Sequence, residues 1–449
     1  MIGAHQNGRV ARLGFVSTRI AGTDGVSLEI EKWTAVLEGM GIECFFIAGE
    51  CDRDEDRSFI IPEAHFEHPD ILDITERSFG SERRTPQLTD DILALTRTCR
   101  DKLAQAIKHF NLMAICAENA LTIPMNIPLG LAIVQEVQEM GLGCVAHHHD
   151  FYWERDRFLV SAVDDYLHYA FPPALPQMQH VVISSQAGEE FSRRTGLSCR
   201  IIPNVMDFSN PPPPPDDHAR RFRETVGLAE DDILVLQPTR VIERKGIEHS
   251  IELCRRIDKD RAVLVITHES GDEGHGYQQR VREFAEIMEV KVIFASEFIS
   301  KCRGVDAAGR PFFSLGDAFS QADLVTYPSE YEGFGNAFLE AIYYRCPIIC
   351  NRYSIYRTDI EPFGFRAIAF DGYLTAATVM EARRVLESET IRREMVEHNY
   401  DVGLRFFSYE ILRQEFEFML RRPHNIQRMY ARNWRQGPRD EIVKSILGG

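Results

Sequence analysis

The sequence has no apolar run of about 18 residues, the length that a membrane-spanning helix needs. Residues 1–10 are polar and lack the apolar core of a secretion signal. The ten cysteines are scattered, and none forms a Cys-x-x-Cys pair. Such usage is typical of a compartment that keeps thiols reduced. We therefore expect a cytoplasmic protein with no integral membrane segment.

The sequence also has fewer basic than acidic residues. The chain has 51 Lys and Arg against 68 Asp and Glu, a formal net charge of -17. Nucleic acids and anionic lipids are bound by basic faces, so neither is an expected partner. A Gly-x-Gly-x-x-Gly fingerprint is missing too, which disfavours a nicotinamide-dependent dehydrogenase.

The length of 449 residues indicates two or three domains. Five consecutive prolines at Pro211–Pro215 must be extended, and they predict an interdomain linker. The predicted division is a first domain at 1–210, a linker at 211–216, a second domain at 217–405, and a C-terminal helix and tail at 406–449.

The second domain contains a short apolar run, Ala322–Tyr327, that predicts a buried parallel strand. Behind it, Glu332 and Glu340 flank a Gly-Phe-Gly turn. Glycines let backbone amides approach a ligand, and Asn336 can cap the helix that begins there. A helix N-terminus binds anions, and carboxylates accept hydrogen bonds from sugar hydroxyls. A nucleotide sugar offers both groups.

The first domain begins with a predicted strand at 12–18, a glycine loop at 20–27 and a helix that ends at about Met40. The loop lies at the carboxyl end of the strand, where open α/β sheets bind ligands. A plain turn is the alternative interpretation. Residues 50–90 are charged and predict an irregular insertion.

Three consecutive histidines end another predicted strand of this domain. Strand alternation places His147 and His149 on one face and His148 on the other, which is a poor tetrahedral set. We therefore predict no metal site.

The run of Pro328, Ser329, Glu332 and Glu340 around Gly-Phe-Gly resembles the signature of family-4 retaining glycosyltransferases of the GT-B fold. The segment 240–246 is similar to the Arg-x4-Lys-Gly element of that family. The resemblance implies an α/β protein of two Rossmann-like, doubly wound domains with a cleft between them. It also implies a C-terminal helix that crosses back to the first domain.

The resemblance further implies a retaining hexosyltransferase whose donor is a UDP- or GDP-linked hexose, with no cofactor or metal required. Arg240 and Lys245 would neutralise the diphosphate, whose charge grows in the transition state. Glu340 would hold the ribose, and Glu332 would hold the sugar. The donor-binding residues implied in this way are Gly25, Arg240, Lys245, Phe298, Ile299, Glu332, Gly333, Phe334, Gly335, Asn336 and Glu340.

On the acceptor side, His149 and Asp150 are similar to a His-Asp pair of the family, which would place His149 near the transferred sugar. A packed histidine and a capping aspartate are the alternative. The implied acceptor-binding residues are Asp24, His147, Asp150 and Trp153. The implied catalytic residues are His149, Arg240, Lys245 and Glu332.

The acidic chain favours a small soluble acceptor, and its motif variants look like those of enzymes that build compatible solutes, such as mannosylglucosylglycerate synthases. A sugar phosphorylase that uses inorganic phosphate and a non-catalytic nucleotide-sugar binder are the alternative functions. Homo-oligomers are possible partners. The sequence leaves open the role of the loop at His268 and Glu269 and that of an arginine cluster at 421–435.

Overall fold

A computed structural model describes residues 5–6, 9–22, 24–269, 276–305 and 309–421. The predicted arginine cluster and most of the loop that follows Glu269 lie outside the described residues. None of the described helices is long and apolar enough to cross a membrane.

By its internal contacts the chain divides into two compact units. The first comprises 1–181, 195–200 and 412–449, and the second comprises 182–194 and 201–411. The five-proline run has no regular secondary structure and falls inside the second unit, so its role as a linker stays a prediction.

The first sheet contains eight strands with the order β4-β3-β2-β5-β6-β7-β8, and β1 pairs with β2. The strands are β1 (His5–Gln6), β2 (Arg9–Val16), β3 (Ile42–Ala48), β4 (Ser58–Ile60), β5 (Ala114–Glu118), β6 (Gly143–His148), β7 (Met178–Val182) and β8 (Cys199–Ile201). The accompanying helices are α1 (Gly25–Gly39), α2 (Pro69–Ser78), α3 (Pro86–Phe110), α4 (Ile127–Met140), α5 (Asp164–Ala170) and α6 (Ser185–Thr195).

The second sheet contains six parallel strands with the order β11-β10-β9-β14-β15-β16, beside a small β12-β13 hairpin. Its strands are β9 (Ile233–Gln237), β10 (Ala262–Ile266), β11 (Lys291–Phe294), β12 (Gly304–Val305), β13 (Pro311–Phe312), β14 (Leu324–Tyr327), β15 (Ile348–Asn351) and β16 (Ile368–Phe370). Its helices are α7 (Asp217–Thr225), α8 (Ile247–Asp258), α9 (Gly276–Met288), α10 (Leu315–Gln321), α11 (Asn336–Tyr343), α12 (Ala376–Glu387), α13 (Glu389–Phe406) and α14 (Tyr409–Arg421).

Local sequence signals explain where the helices begin and end. Helix α3 starts at Pro86, and the Thr85 hydroxyl accepts a hydrogen bond from the backbone amide of Leu88. It stops at Asn111, whose backbone is left-handed with φ 51°. Helix α4 is apolar on most sides because it is packed between other elements, and Gly141 ends it in the same way.

Both sheets have the strand order of a doubly wound fold, in which the chain turns from one edge to the other at a switch point. The switch point lies between β2 and β5 in the first sheet and between β9 and β14 in the second. Open α/β sheets bind ligands outside the carboxyl ends of the strands at such a point.

The C-terminal helix α14 starts in the second unit and belongs to the first unit from Leu412 onward. There Phe416 packs edge-on against Trp33 with ring centroids 4.8 Å apart, and Glu415 pairs with Arg200. The α/β fold with parallel sheets is confirmed.

One prediction of secondary structure was wrong. Residues 50–90 are not irregular, because they contain β4 and α2. Few of the ten residues of α2 are apolar, and Ile71 and Ile74 supply its buried apolar face. That stripe is too short for a clear helical period in the sequence.

Candidate active site

The switch point of the second sheet gathers three cations and a carboxylate. The loop after β9 carries Arg240, Arg244 and Lys245, and the loop after β14 carries Glu332. Strands β9 and β14 are neighbours, so their two loops meet, and the Glu330 amide donates a 2.9 Å hydrogen bond to the Arg244 carbonyl. The predicted donor residues Arg240, Lys245 and Glu332 thus lie at one edge of one sheet.

Glu332 and Lys245 form a buried ion pair. The Lys245 ammonium donates to Glu332 Oε1, and Arg244 Nη1 donates to Glu332 Oε2 at 3.2 Å. Glu332 is 7 % exposed and Lys245 is 8 % exposed, so water screens the pair little. The sequence had assigned both residues but had not predicted that they bind each other, and it had given Arg244 no role.

Burial and neighbouring charges set the ionisation of this group. Burial alone would raise the pKa of the Glu332 carboxyl, but the charges of Lys245 and Arg244 outweigh it and lower that pKa. Burial lowers the pKa of Lys245. Glu332 is therefore an anion at neutral pH, and it is held by two cations.

Arg240 differs from its neighbours because its side chain is exposed. Close to it lies His268, in the loop whose role the sequence left open. Burial, together with the charges of Lys245 and Arg240, lowers the pKa of His268 to about 4, and its ring contacts the Thr267 hydroxyl at 2.9 Å. The loop after β10 thus places a neutral histidine beside the cations.

Glycines make close approach possible at this edge. Gly335 has φ +135°, and a Cβ placed there would lie 2.3 Å from the Tyr353 hydroxyl oxygen. That hydroxyl donates to the Phe334 carbonyl at 2.9 Å and so supports the predicted Gly-Phe-Gly turn from behind. Gly246 has φ +57°, and a Cβ there would lie 2.8 Å from the Pro328 carbonyl oxygen.

The expected capping role of Asn336 was wrong. Gly335 is the N-cap of α11, and Asn336 is its first helical residue. Asn336 Oδ1 accepts a 2.6 Å hydrogen bond from Asn204 Nδ2 and makes no capping bond. The amides at the start of α11 are thus left without a side-chain cap.

The remaining predicted donor residues are distributed along the same sheet. Glu340 lies one turn into α11 and is half-buried. Phe298 and Ile299 follow β11 and pack at the rim of the core, where Ile299 bridges to Phe313.

Buried polar residues that the sequence did not single out hold these loops in place. Gln237, at the end of β9, donates to the Thr239 hydroxyl and the Lys245 carbonyl. Ser250 donates to Gln237 at 2.6 Å and contacts the Thr326 hydroxyl at 2.9 Å. A polar residue within each otherwise apolar strand is the signal that could have identified Gln237 and Thr326.

A second polar cluster lies at the carboxyl ends of β5 and β6 in the first unit. Glu118 is fully buried, and its Oε2 accepts from His147 Nδ1 at 2.9 Å and from His149 Nε2 at 3.3 Å. His147 also stacks on Trp33 with centroids 4.1 Å apart. Sequence reasoning missed Glu118, because its partners lie about thirty residues further along the chain.

His148 faces other partners, as strand alternation predicts. It contacts the Thr122 hydroxyl at 2.7 Å and His180 at 2.9 Å. Burial lowers the pKa of His180 to about 4 and that of His148 well below its usual value. Both rings are therefore neutral near pH 7.

Of the residues that could hold a metal in the described part of the chain, Glu118, His147 and His149 place one donor atom each within 4.8 Å of one another. The sequence predicted no metal here. The contacts of 2.9 and 3.3 Å from the two rings to the carboxylate have hydrogen-bond lengths. The absence of a metal site here stays a prediction.

The other predicted acceptor residues are held by local contacts. Asp24 is the N-cap of α1, since its Oδ1 accepts from the amides of Val26 and Ser27. Gly25 is the first residue of that helix.

Asp150 accepts from Asn119 at 3.1 Å and pairs with Arg155. Trp153 stacks on Phe151 with centroids 4.4 Å apart. The acceptor-binding roles of Asp24, His147, Asp150 and Trp153 stay predictions.

The architecture matches known structures over nearly the whole chain. Sucrose-phosphate synthase from Thermosynechococcus elongatus superimposes with a TM-score of 0.61 at 15 % identity, covering 92 % of this chain and 98 % of that one. Anabaena Alr3699/HepE in complex with UDP-glucose gives a TM-score of 0.57 at 12 % identity, covering 91 % of this chain and 99 % of that one. WaaG, a glycosyltransferase of lipopolysaccharide biosynthesis, gives 0.54 at 15 % identity, covering 87 % and 95 %. The fold is therefore the GT-B fold of glycosyltransferases.

Sequence comparison then gives the family. Residues 311–402, which include Glu332 and Glu340, match the family model described as glycosyl transferases group 1. A mannosylglucosylglycerate synthase from Thermotoga maritima is 32 % identical over 87 % of this chain and 95 % of its own length. A second enzyme of that name, from Petrotoga mobilis, is 30 % identical over 80 % and 86 %. The chain belongs to the group 1 glycosyltransferases and is an enzyme that transfers a sugar, which confirms the predicted family.

Proposed function

We propose that the protein is a retaining hexosyltransferase that takes its sugar from a UDP- or GDP-linked hexose and passes it to a small soluble acceptor. The observation that carries this proposal is the group of Arg240, Arg244, Lys245 and Glu332 at the switch point of the second sheet. Three cations at the carboxyl edge of a doubly wound sheet suit a diphosphate.

Arg240 and Lys245 have different roles in this chemistry. The leaving nucleoside diphosphate gains negative charge as the glycosidic bond breaks, and fixed cations stabilise that charge most in the transition state. Arg240 is exposed and has room to grip an entering phosphate. Lys245 is held in place by Glu332, so it costs little reorganisation when the charge develops. These cations can supply the stabilisation that a metal ion gives elsewhere.

The state of Glu332 favours retention without a glycosyl-enzyme intermediate. A carboxylate that forms such an intermediate must be free to attack the sugar. Glu332 is bound on one oxygen by Lys245 and on the other by Arg244, and its lowered pKa makes it a weak nucleophile. We therefore propose attack by the acceptor hydroxyl on the face that the diphosphate leaves, with a phosphate oxygen taking the hydroxyl proton.

The names of the two relatives suggest the substrates. Both are mannosylglucosylglycerate synthases, which supports a mannosyl donor and glucosylglycerate as acceptor. The first unit carries the predicted catalytic residue His149, whose partly exposed ring is suited to hydrogen bonding with a hydroxyl of the transferred sugar.

The experiment is a parallel thermal-shift titration with UDP, GDP and ADP. A nucleotide at about 100 times its dissociation constant stabilises the fold by about 2.7 kcal/mol. We expect one nucleotide to raise the melting temperature, and Arg240→Gln to weaken that response. The control is Arg282→Gln, which removes an exposed cation that stacks on Phe294 in the same unit.

Turnover then separates this proposal from the alternatives. A transferase releases nucleoside diphosphate as it transfers the sugar of the donor. Release should be slow when water takes the sugar and faster when the acceptor is present. Binding of nucleotide without any release would indicate a non-catalytic binder. A phosphorylase would instead make or consume sugar 1-phosphate with inorganic phosphate, and no nucleotide would raise its melting temperature. That result would contradict the proposal.

A further inference from the structure

Glu118 is a buried carboxylate whose two oxygens are both engaged by side chains of the first unit. Oε1 accepts from the Cys116 thiol at 3.3 Å, and Oε2 accepts from both His147 and His149. Its own carbonyl accepts from the Ser17 hydroxyl at 3.0 Å, which ties the end of β5 to β2 across the switch point. The carboxylate therefore has a fixed orientation.

A carboxylate in such a place is costly for the fold. Taking an ion out of water costs several kcal/mol, and apolar residues of similar volume are often at least as stable as a buried ion pair. Glu118 is 0 % exposed and His147 is 1 % exposed, whereas the side chain of His149 is 13 % exposed. His149 is thus the member of the group through which the buried charge can act on a ligand.

The hydrogen bonds also fix where the ring protons lie. A carboxylate oxygen only accepts, so His147 must carry a proton on Nδ1 and His149 must carry one on Nε2. The remaining nitrogen of His149 is Nδ1. With Nε2 committed to Glu118, protonation of His149 can only add a proton at Nδ1.

We propose that Glu118 is a positioning residue of the transfer reaction: it fixes the ring of His149 through Nε2 and balances the charge of the imidazolium, so that His149 offers Nδ1–H to an oxygen of the substrate. This inference rests on the proposed function, in which His149 contacts the transferred sugar. A His149 cation would donate a charge-assisted hydrogen bond, which is stronger than a neutral one.

The surrounding charges agree with this arrangement. Burial alone would lower the pKa of His149, but the hydrogen bond and charge of Glu118 outweigh it, and Glu29 of α1 and Asp150 add to the effect, so that the pKa is raised. Burial alone would raise the pKa of Glu118, yet the two histidines lower it to about 2. Glu29 in turn pairs with Lys32 of the same helix at 3.1 Å.

His147 completes the support. Its ring stacks on the Trp33 ring with centroids 4.1 Å apart, and its Nδ1 donates to the Glu118 carboxylate. Its Nε2 is buried and has no hydrogen-bond partner among the described residues. His147 therefore holds Glu118 in place.

The test is the substitution Glu118→Gln in the full-length protein. The amide keeps the size and one acceptor oxygen but removes the counter-charge. We expect NMR titration of ¹⁵N-labelled histidines, with the His149 signal assigned through His149→Asn, to show that the pKa of His149 falls by about one unit or more. Transfer from GDP-mannose to glucosylglycerate should fall about tenfold in kcat at neutral pH, with the alkaline limb of its pH profile moved to lower pH.

A matched control removes another buried carboxylate of the same unit. Glu136, on α4, is 5 % exposed and its charge partner is Arg100, 3.7 Å away. Glu136→Gln should leave the pKa of His149 and the pH profile unchanged, even if it alters stability. An effect of both substitutions on stability alone would assign Glu118 a structural role and overturn the proposal.

Two further results decide the case if Glu118→Gln does not fold. A wild-type pKa of His149 at or below that of a free histidine would overturn the proposal, and a raised value would support it. One divalent ion bound per wild-type chain, and lost in His149→Asn, would show a metal site instead. Nucleotide binding is measured separately on the same proteins, so that its absence would refute the proposed function while the NMR titration still tests the link between Glu118 and His149.

Discussion

Replacing Lys245 by methionine removes one partner of the buried pair at the candidate donor site. Methionine retains most of the volume and the apolar stem, so the change is mainly one of charge. Glu332 would then keep a single cation, Arg244, at 3.2 Å. The substitution therefore tests whether the group at the switch point is held together by its charges.

The expected loss of stability follows from the burial of the pair. Breaking a buried ion pair by removing one partner costs about 3–5 kcal/mol, because the other charge remains buried. Arg244 stays in place, so we expect the low end, about 3 kcal/mol. The double variant Lys245→Met/Glu332→Gln removes both charges and should recover much of that loss.

Urea unfolding followed by far-UV circular dichroism measures these differences in the free energy of unfolding. Lys259→Met is the control, because Lys259 is half-exposed and pairs with Glu289 only at 3.7 Å. A surface change of that kind should stay within about 0.5 kcal/mol. If Lys245→Met is as stable as wild type, or if the double variant is less stable than the single one, the reasoning is refuted.

Three further predictions concern other parts of the chain. Gly335→Ala should destabilise the protein by about 1–3 kcal/mol, because φ is +135° and the new methyl group meets the Tyr353 hydroxyl. The control Gly39→Ala, which adds a methyl group in open space, should leave stability unchanged or raise it in the same thermal scan. Glu340→Ala should weaken nucleotide binding by calorimetry, and unchanged affinity would refute the ribose assignment. The buried His148–His180 pair should make the protein lose stability as pH falls from about 6.5 toward 4, because the unfolded chain binds protons there and the folded one does not. His180→Asn should flatten that dependence in pH-stepped unfolding, and an unchanged slope would contradict it.

Local pattern in the sequence predicted the parts of the site that lie close together along the chain. The apolar run before Glu332 and the glycine turn after it predict a strand, a loop and a helix, and the structure has all three. Strand alternation likewise placed His147 and His149 on one face, opposite His148.

Contacts between distant strands could not be predicted in the same way. The pairing of Lys245 with Glu332 requires β9 beside β14, and that of Glu118 with His149 requires β5 beside β6. Neither adjacency follows from local periodicity. The N-cap of α11 could not be predicted from the sequence either. Gly335 and Asn336 are both acceptable N-cap residues, and only the backbone angles at Gly335 distinguish them.

The measurement that tests the central claim most directly is the anomeric configuration of the product. GDP-α-mannose and UDP-α-glucose are each incubated with glucosylglycerate and the protein, and the new anomeric signal is read by proton NMR. Retaining transfer predicts an α-linked product from one donor, formed together with free nucleoside diphosphate. A β-linked product, or transfer that proceeds undiminished in Arg240→Gln, would contradict the account.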